Sequence, residues 1–119
     1  MQIAIPKADL ASFSMESYLY QPGISLHTNK WGMTEPQNSI LIEPAAIDMI
    51  LLPLLAFDER GYRVGYGKGF YDRYLPRCRK NTIKVGLSLE QPVSAITDTD
   101  HYDARMDYCI TPHKVWEFV

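Results

Sequence analysis

Apolar and polar residues alternate in several short stretches of the chain, and this alternation predicts strands. In residues 13–20, Phe13, Met15 and Leu19 fall on one side of the chain, as in a strand with one exposed face. Three further short stretches are alternating or rich in apolar residues and also predict strands: residues 1–6, 82–89 and 106–111.

The most apolar stretch, residues 45–57, predicts a central strand of a sheet that is covered on both faces. Pro53 lies inside this stretch and has no N–H for a ladder hydrogen bond, so we expect a bulge or the end of the strand there. Residues 58–61 predict a turn, and residues 62–64 predict a second, short strand.

A helix is predicted over residues 69–79, where Phe70, Tyr74 and Cys78 recur at helical spacing. Pro76 lies within this pattern and should end or kink the helix, because proline removes a backbone donor.

Two long polar connections complete the pattern. Residues 21–44 contain repeated proline, glycine and asparagine with one short strand expected near residues 39–42, and residues 92–103 form a polar loop. Strands that alternate with a helix and long loops predict a three-layer α/β fold with a mainly parallel sheet. The chain is short enough that residues 1–119 are expected to form a single domain.

Charge and cysteine content narrow the class of protein. The 119 residues include 12 Lys or Arg and 14 Asp or Glu, a formal net charge of −2. This balance argues against a protein that coats nucleic acid or an anionic membrane. Cys78 and Cys109 fit two free thiols in a reducing cytosol better than a single bridge. No signal-peptide pattern or membrane-length apolar run is visible, so a cytoplasmic location is predicted.

The candidate chemistry lies in one glycine-rich segment. Gly65, Gly67 and Gly69 stand at alternate positions directly before the predicted helix, where the backbone can approach an anion closely. Lys68, inside the run, is placed to reach a phosphate. The Walker A and Rossmann glycine spacings are both absent. From the residues alone, a plain structural turn therefore stays an alternative to a nucleotide site.

Charged residues border this segment. Arg63 and Arg73 flank the glycines, and Asp72 follows one turn into the predicted helix. A carboxylate at that point suits a Mg²⁺ ion that phosphate oxygens also bind. Together with Lys68, these side chains favour a phosphate-binding interpretation.

Two consecutive stretches resemble the signature of the 5-formyltetrahydrofolate cyclo-ligase family, also called 5,10-methenyltetrahydrofolate synthetases: residues 48–58, DMILLPLLAFD, and residues 63–73, RVGYGKGFYDR. Residues 31–36, WGMTEP, resemble the aromatic-to-Glu-Pro segment of that family, and residues 106–111, MDYCIT, resemble its closing strand. The resemblance extends over nearly the whole chain.

The resemblance implies a Rossmann-like fold and the conversion of a reduced folate, 5-formyltetrahydrofolate, to 5,10-methenyltetrahydrofolate with ATP and Mg²⁺. ATP would phosphorylate the formyl oxygen, N10 would attack the activated carbon, and phosphate would leave as the ring closes. The implied ATP contacts are Arg63, Val64, Gly65, Tyr66, Gly67, Lys68, Gly69, Phe70 and Tyr71, of which Arg63 and Lys68 are the candidate catalytic residues. The implied folate contacts are Trp31, Tyr66, Gly67, Lys68, Gly69 and Phe70, and the implied Mg²⁺ ligands are Asp72 and Asp107.

Family members also carry an N-terminal portion with a basic ATP-contacting segment and further folate contacts, and no part of this sequence resembles it. The expected fold is therefore the C-terminal part of the cyclo-ligase fold. Two functions stay open: the cyclo-ligase reaction, or a relative that binds a nucleotide, a folate or a partner protein without turnover. Trp31 has core packing as an alternative role, and Asp107 has loop capping. Self-association through an exposed sheet edge is also left open.

Overall fold

The computed structural model describes residues 1–30, 32–37, 39–65, 69–96 and 104–118. In these ranges the chain forms eleven strands, numbered β1 to β11, arranged as two larger sheets and two hairpins. Four residues of the expected site lie outside the described ranges: Trp31, Tyr66, Gly67 and Lys68.

The first sheet is mixed and has the strand order β11-β10-β9-β6. The strands β6 (Met49–Leu52), β9 (Ile83–Leu87) and β10 (Tyr108–Ile110) run parallel, and β11 (Val115–Glu117) is antiparallel to β10. The strands expected over residues 82–89 and 106–111 are both present. A parallel arrangement is thereby confirmed for β6, β9 and β10.

The second sheet is antiparallel and has the order β1-β2-β5. It consists of β1 (Ile3–Asp9), β2 (Ser14–Tyr20) and β5 (Leu41–Ile42), with β1 and β2 paired along their full lengths. In β2 the alternation predicted from the sequence is confirmed, because Met15 and Leu19 are buried. An all-antiparallel sheet was not expected from the sequence, which predicted a mainly parallel one.

Two short hairpins are inserted between strands of these sheets, one between β2 and β5 and the other between β6 and β9. One joins β3 (Ser25–Thr28) to β4 (Thr34–Gln37), inside the stretch expected to be a long connection. The other joins β7 (Ala56–Phe57) to β8 (Arg63–Val64). The prediction of a single strand over residues 45–57 is wrong. β6 ends directly before Pro53, as expected at a residue with no N–H for the ladder, and Ala56–Phe57 pair with β8 instead.

The helix is shorter than predicted. α1 covers Phe70–Tyr74 and continues as a 3-10 turn over Leu75–Arg77, which contains Pro76. A second 3-10 turn covers Pro44–Ala46. The buried Tyr74 packs against β2, where its hydroxyl lies 2.9 Å from the Ser17 hydroxyl. Within the described ranges, no helix has the length and apolar character needed to cross a membrane.

The core lies on one side of the mixed sheet. It is built from Leu52, Leu54, Phe57, Leu75, Met106 and Cys109. The Phe57 ring meets Trp116 edge-on, with centroids 6.1 Å apart, and meets Phe118 in the same way at 6.3 Å. These ring contacts anchor Trp116 and Phe118 onto the core.

The expected three-layer arrangement is not confirmed in the described residues. One face of the mixed sheet is covered by the core, but Met49 and Leu51 on β6 remain more than half exposed on the other face. The only α-helix of the described ranges packs against the antiparallel sheet, so it cannot serve as that third layer.

Candidate functional site

Arg63 is the buried charged group at the start of the glycine-rich segment. It lies on β8, and its side chain is only 5% exposed. Nη1 donates a hydrogen bond to the Pro53 carbonyl oxygen at 3.2 Å, and Nη2 donates one to Asp72 Oδ1 at 3.1 Å. The guanidinium thus ties three segments together: the chain after β6, strand β8 and helix α1.

One N–H donor of the Arg63 guanidinium has no acceptor. Arg63 Nε is buried and has no hydrogen-bond partner in the described structure. Leaving a buried charged donor without an acceptor is unfavourable by about 1–3 kcal/mol. A further acceptor at this nitrogen would therefore stabilise the guanidinium.

Gly65 makes room for that guanidinium. A Cβ atom at residue 65 would lie 2.9 Å from Arg63 Nη1, closer than a side chain allows. Gly69 is similar, because its Cβ would lie 3.1 Å from Arg73 Nη1. Gly69 also adopts φ +72°, a left-handed conformation that favours glycine, directly before α1. Two glycines of the segment therefore each border an arginine.

The remaining described residues of the glycine-rich segment pack around Arg63 and helix α1. Tyr71 packs against the core, where burial raises the pKa of its hydroxyl and the nearby Arg63 charge partly opposes the rise. The Phe70 ring lies 6.4 Å from that of Phe13 on the loop before β2. Val64 is exposed and pairs with Ala56 across the hairpin. Helix α1 is thereby held between the core and the antiparallel sheet.

Asp72 and Asp107 occupy different parts of the fold. Asp72 is 42% exposed and is bound to Arg63, beside the carboxyl end of β6. Asp107 precedes β10, where Oδ2 accepts the Lys84 N–H at 2.8 Å and lies 3.5 Å from Lys84 Nζ. No described contact joins the two aspartates. In the described ranges no three His, Cys, Asp or Glu side chains converge as a metal site.

Asp107 borders an open cavity of about 580 Å³. Its lining includes Lys84 and Arg105, so both signs of charge face it. The Arg105 guanidinium is fixed by bonds to the Arg60 and Phe118 carbonyl oxygens at 2.8 and 3.2 Å. Neither Arg63 nor Asp72 lines this cavity. The shared Mg²⁺ site that the resemblance implies for Asp72 and Asp107 stays a prediction.

Asp58 is a positioning residue that the sequence did not single out. Its side chain is 1% exposed and accepts hydrogen bonds from the amides of Arg60, Tyr62 and Ile96 at 2.9, 3.2 and 3.0 Å. Arg60 Nη2 adds an ion pair at 2.8 Å. Burial alone would raise the pKa of Asp58, but these donors outweigh it and hold the pKa below its usual value.

A sequence signal for Asp58 did exist. Aspartate at the first position of a turn, with glycine at the fourth, is typical of a type I turn, and the Gly61 amide does donate to the Asp58 carbonyl oxygen at 3.1 Å. The signal indicates the turn but not the long-range bond to Ile96. This network fixes the segment that leads into Arg63.

Comparison with known proteins identifies the family. A model of the 5-formyltetrahydrofolate cyclo-ligase family matches residues 1–112 of the chain. The chain belongs to this family. The resemblance seen in the glycine-rich segment and its flanks is thereby confirmed.

Individual cyclo-ligase relatives agree with this assignment. The chain is 34% identical to a probable 5-formyltetrahydrofolate cyclo-ligase of Schizosaccharomyces pombe, covering 95% of this chain and 62% of that protein. It is 32% identical to the Escherichia coli K12 5-formyltetrahydrofolate cyclo-ligase, covering 83% and 56%. The solved structure of Aquifex aeolicus 5,10-methenyltetrahydrofolate synthetase superposes with a TM-score of 0.80 at 30% identity, covering 98% and 58%. The chain thus spans about three fifths of the length of these relatives.

The cyclo-ligase assignment implies ATP and Mg²⁺, and the described residues can be tested against both. A buried guanidinium with an unsatisfied Nε, beside a glycine that leaves room for it, fits the phosphate groups of a nucleotide. The half-exposed Asp72 carboxylate is an oxygen donor of the kind that Mg²⁺ prefers. The region around Arg63 and Asp72 therefore fits the implied ligands.

Proposed function

We propose that this chain carries out the cyclo-ligase reaction, closing 5-formyltetrahydrofolate to 5,10-methenyltetrahydrofolate with ATP and Mg²⁺. The observation that carries the proposal is the Arg63 guanidinium, which is buried, bound to Asp72 and left with one unsatisfied donor beside Gly65. Family membership supports the reaction, and this geometry supports the place where its phosphate chemistry would occur.

In the proposed reaction the formyl oxygen takes the γ-phosphoryl group and ADP leaves. N10 then bonds to the formyl carbon and loses its proton, and the carbon–oxygen bond breaks as phosphate departs. Phosphoryl transfer of this kind depends on positioning and on neutralisation of charge, so it needs no nucleophilic side chain. When bound, Mg²⁺ would supply further positive charge to the phosphate oxygens.

The residues of the chain have distinct proposed roles. Arg63 provides a fixed positive charge whose orientation is set by the Pro53 carbonyl oxygen. Asp72 is the proposed cation ligand, and Asp107 stays a second proposed ligand. Lys68 is proposed to place its positive charge on the phosphates. Further proposed contacts with ATP are Val64, Gly65, Tyr66, Gly67, Gly69, Phe70 and Tyr71, and with the folate Trp31, Tyr66, Gly67, Lys68, Gly69 and Phe70.

The direct test follows the absorbance of 5,10-methenyltetrahydrofolate when the protein is mixed with 5-formyltetrahydrofolate, ATP and Mg²⁺. Lys68→Ala should abolish the signal, because it removes the proposed charge at the phosphates. Lys80→Ala is the matched control, since Lys80 is an exposed lysine that follows α1 in the sequence. Retained activity in Lys68→Ala would contradict the role given to Lys68.

A binding measurement separates the proposed reaction from binding without turnover. Isothermal titration with ATP and Mg²⁺, and separately with 5-formyltetrahydrofolate, is made on the same preparation. Binding of either ligand without product formation would refute the reaction for this chain and favour a binding role. Absence of both binding and product from folded protein would refute the reaction and also a nucleotide-binding or folate-binding role.

A further inference from the structure

Phe13 lies in the loop at the tip of the β1–β2 hairpin and has an unfavourable backbone conformation. Among the described residues other than glycine, it alone has a positive φ, of +54°. Bulky residues are disfavoured in this left-handed region and persist there only where surrounding contacts hold them. Phe13 is also 40% exposed, so burial in the core does not fully compensate for the conformation. The contacts that Phe13 makes with helix α1 are therefore the feature to explain.

The contacts of Phe13 converge on Arg73. The Phe13 carbonyl oxygen accepts a hydrogen bond from Arg73 Nη1 at 3.2 Å. The Arg73 guanidinium carbon lies 5.6 Å from the centre of the Phe13 ring, a distance typical of a cation–π contact. The Phe70 ring borders the Phe13 ring as well. One exposed residue of the hairpin thus contacts the guanidinium through both its backbone and its ring.

Arg73 in turn encloses Gly69, the last glycine of the glycine-rich segment. The Arg73 amide donates to the Gly69 carbonyl oxygen at 3.1 Å and closes the first turn of α1. The Arg73 side chain folds back over the same glycine, because a Cβ atom there would lie 3.1 Å from Nη1 and 3.5 Å from Cζ. A shift of this guanidinium would therefore change the packing on the residue that leads into α1.

Other contacts attach α1 to the antiparallel sheet without Phe13. The buried Tyr74 hydroxyl lies 2.9 Å from the Ser17 hydroxyl on β2. In the following 3-10 turn, Arg77 Nη2 donates to Glu16 Oε1 at 2.8 Å. These contacts lie beyond the first turn of the helix. Loss of the Phe13 ring should therefore loosen the start of α1 and leave the fold intact.

We propose that Phe13 is a positioning residue for ATP: by seating Arg73 over Gly69, it fixes the end of the glycine-rich segment and the start of α1. The inference rests on the proposed function, which places ATP against this segment. Asp72, the proposed cation ligand, is adjacent to Arg73 in the chain and is bound by Arg63. Two arginines would then hold the start of α1, one through Asp72 and the other through Phe13.

Phe13→Ala tests this role because it removes the ring and keeps the backbone carbonyl group. The KM for ATP should rise about fivefold and kcat should change less than about twofold, because bound ATP restores the ordered segment. Amide hydrogen exchange should be about tenfold faster in residues 69–74 and unchanged in β9 and β10. Tyr20→Ala is the matched control, since Tyr20 is 44% exposed at the other end of β2, and it should leave both measurements unchanged.

Three further variants separate positioning from stability. Phe13→Gly adopts a positive φ without strain, so its Tm should equal or exceed that of Phe13→Ala, but its KM for ATP should be raised as much. Phe13→Tyr keeps the ring and should restore the wild-type KM. Arg73→Met combined with Phe13→Ala should raise the KM no further than Arg73→Met alone, because both changes act through one guanidinium.

The outcomes distinguish this inference from the proposed reaction. An active wild-type protein whose KM and exchange rates are unaffected by Phe13→Ala would overturn the inference and leave the reaction intact. A KM that Phe13→Gly returns to the wild-type value would assign Phe13 a role in stability alone and would also overturn it. Additive effects of Phe13→Ala and Arg73→Met would overturn the route through Arg73. A wild-type protein that forms no product would refute the reaction, and calorimetry with ATP together with the exchange rates would then decide the role of Phe13.

Discussion

Replacing Arg63 by methionine tests the Arg63–Asp72 pair, because it should weaken the binding of ATP and strengthen the binding of a cation at Asp72. Methionine keeps a long apolar stem and removes the guanidinium. The change therefore breaks the bonds to the Pro53 carbonyl oxygen and to Asp72, and it also removes the buried Nε that has no partner. Stability, nucleotide binding and metal binding should respond differently.

The cost in stability should be modest. A hydrogen bond from a charged donor contributes about 1.5–3 kcal/mol, and two are lost. Asp72 is 42% exposed, so water replaces much of its lost partner. Removal of the unsatisfied Nε returns about 1–3 kcal/mol. We expect a net loss of about 1–2 kcal/mol, which corresponds to a fall in Tm of roughly 4–8 °C.

Binding of ligands should change with opposite signs. ATP should bind at least tenfold more weakly, because a charge-assisted contact of about 1.4 kcal/mol or more is lost. Mn²⁺ without nucleotide should bind Asp72 about thirtyfold more tightly. The reason is that the change removes a unit positive charge, whose repulsion of a divalent ion held about 4 Å away would be worth about 2 kcal/mol in water.

The assays are thermal unfolding, calorimetry with ATP, and electron paramagnetic resonance of free Mn²⁺. Arg105→Met is the matched control. Arg105 also bonds to two carbonyl oxygens, but no described contact links it to Asp72. It should leave the affinity for Mn²⁺ unchanged. If Arg63→Met lowers the affinity for Mn²⁺ as well as for ATP, competition between the arginine and the cation at Asp72 is refuted.

Three further predictions concern stability. Gly86→Ala should lower the free energy of unfolding by about 1–3 kcal/mol in urea, because its Cβ would clash with Met106 Sδ and lie 2.8 Å from Leu54 Cδ2; Met106→Ala should relieve much of this loss. Burial raises the pKa of Cys109 to about 11 from 9.0, so above pH 9 the unfolded chain loses a proton that the folded chain keeps. Stability should fall by up to about 3 kcal/mol between pH 9 and 11, and Cys109→Ala should remove that part of the fall. Asp58→Asn should cost about 2–3 kcal/mol at pH 7. The difference should shrink at pH 3, because the low pKa of Asp58 stabilises the fold only while the carboxyl is ionised.

Local features of the fold were predictable where a single stretch of chain determines them. The alternation in β2 gave its buried face correctly, and the end of β6 follows from the missing N–H of Pro53. The pairing of strands was harder to predict from the sequence. The apolar run that ends at Phe57 is divided between two sheets, since alternation indicates which face is buried but not which strand lies alongside.

The candidate site, like the fold, was only partly predictable from the sequence. Glycine spacing and charge favoured a phosphate site, which stays a prediction. The burial of Arg63 was not predictable, because it depends on the Pro53 carbonyl oxygen and on Asp72, which lie ten residues before it and nine after it. A charged residue next to glycines suggests exposure to ligand, and only packing reveals that the side chain points inward.

The glycines of the segment consequently have a second explanation besides access for a ligand. Gly65 and Gly69 each border the guanidinium of an arginine that lies two or four residues away, and neither place has room for a Cβ without a shift. An alternating glycine pattern can thus arise because arginines fold back over the backbone that carries them. In this chain one of those arginines also keeps an unsatisfied donor. Internal packing is therefore a second explanation for these two glycines, and the remaining donor is the proposed link between that packing and a ligand.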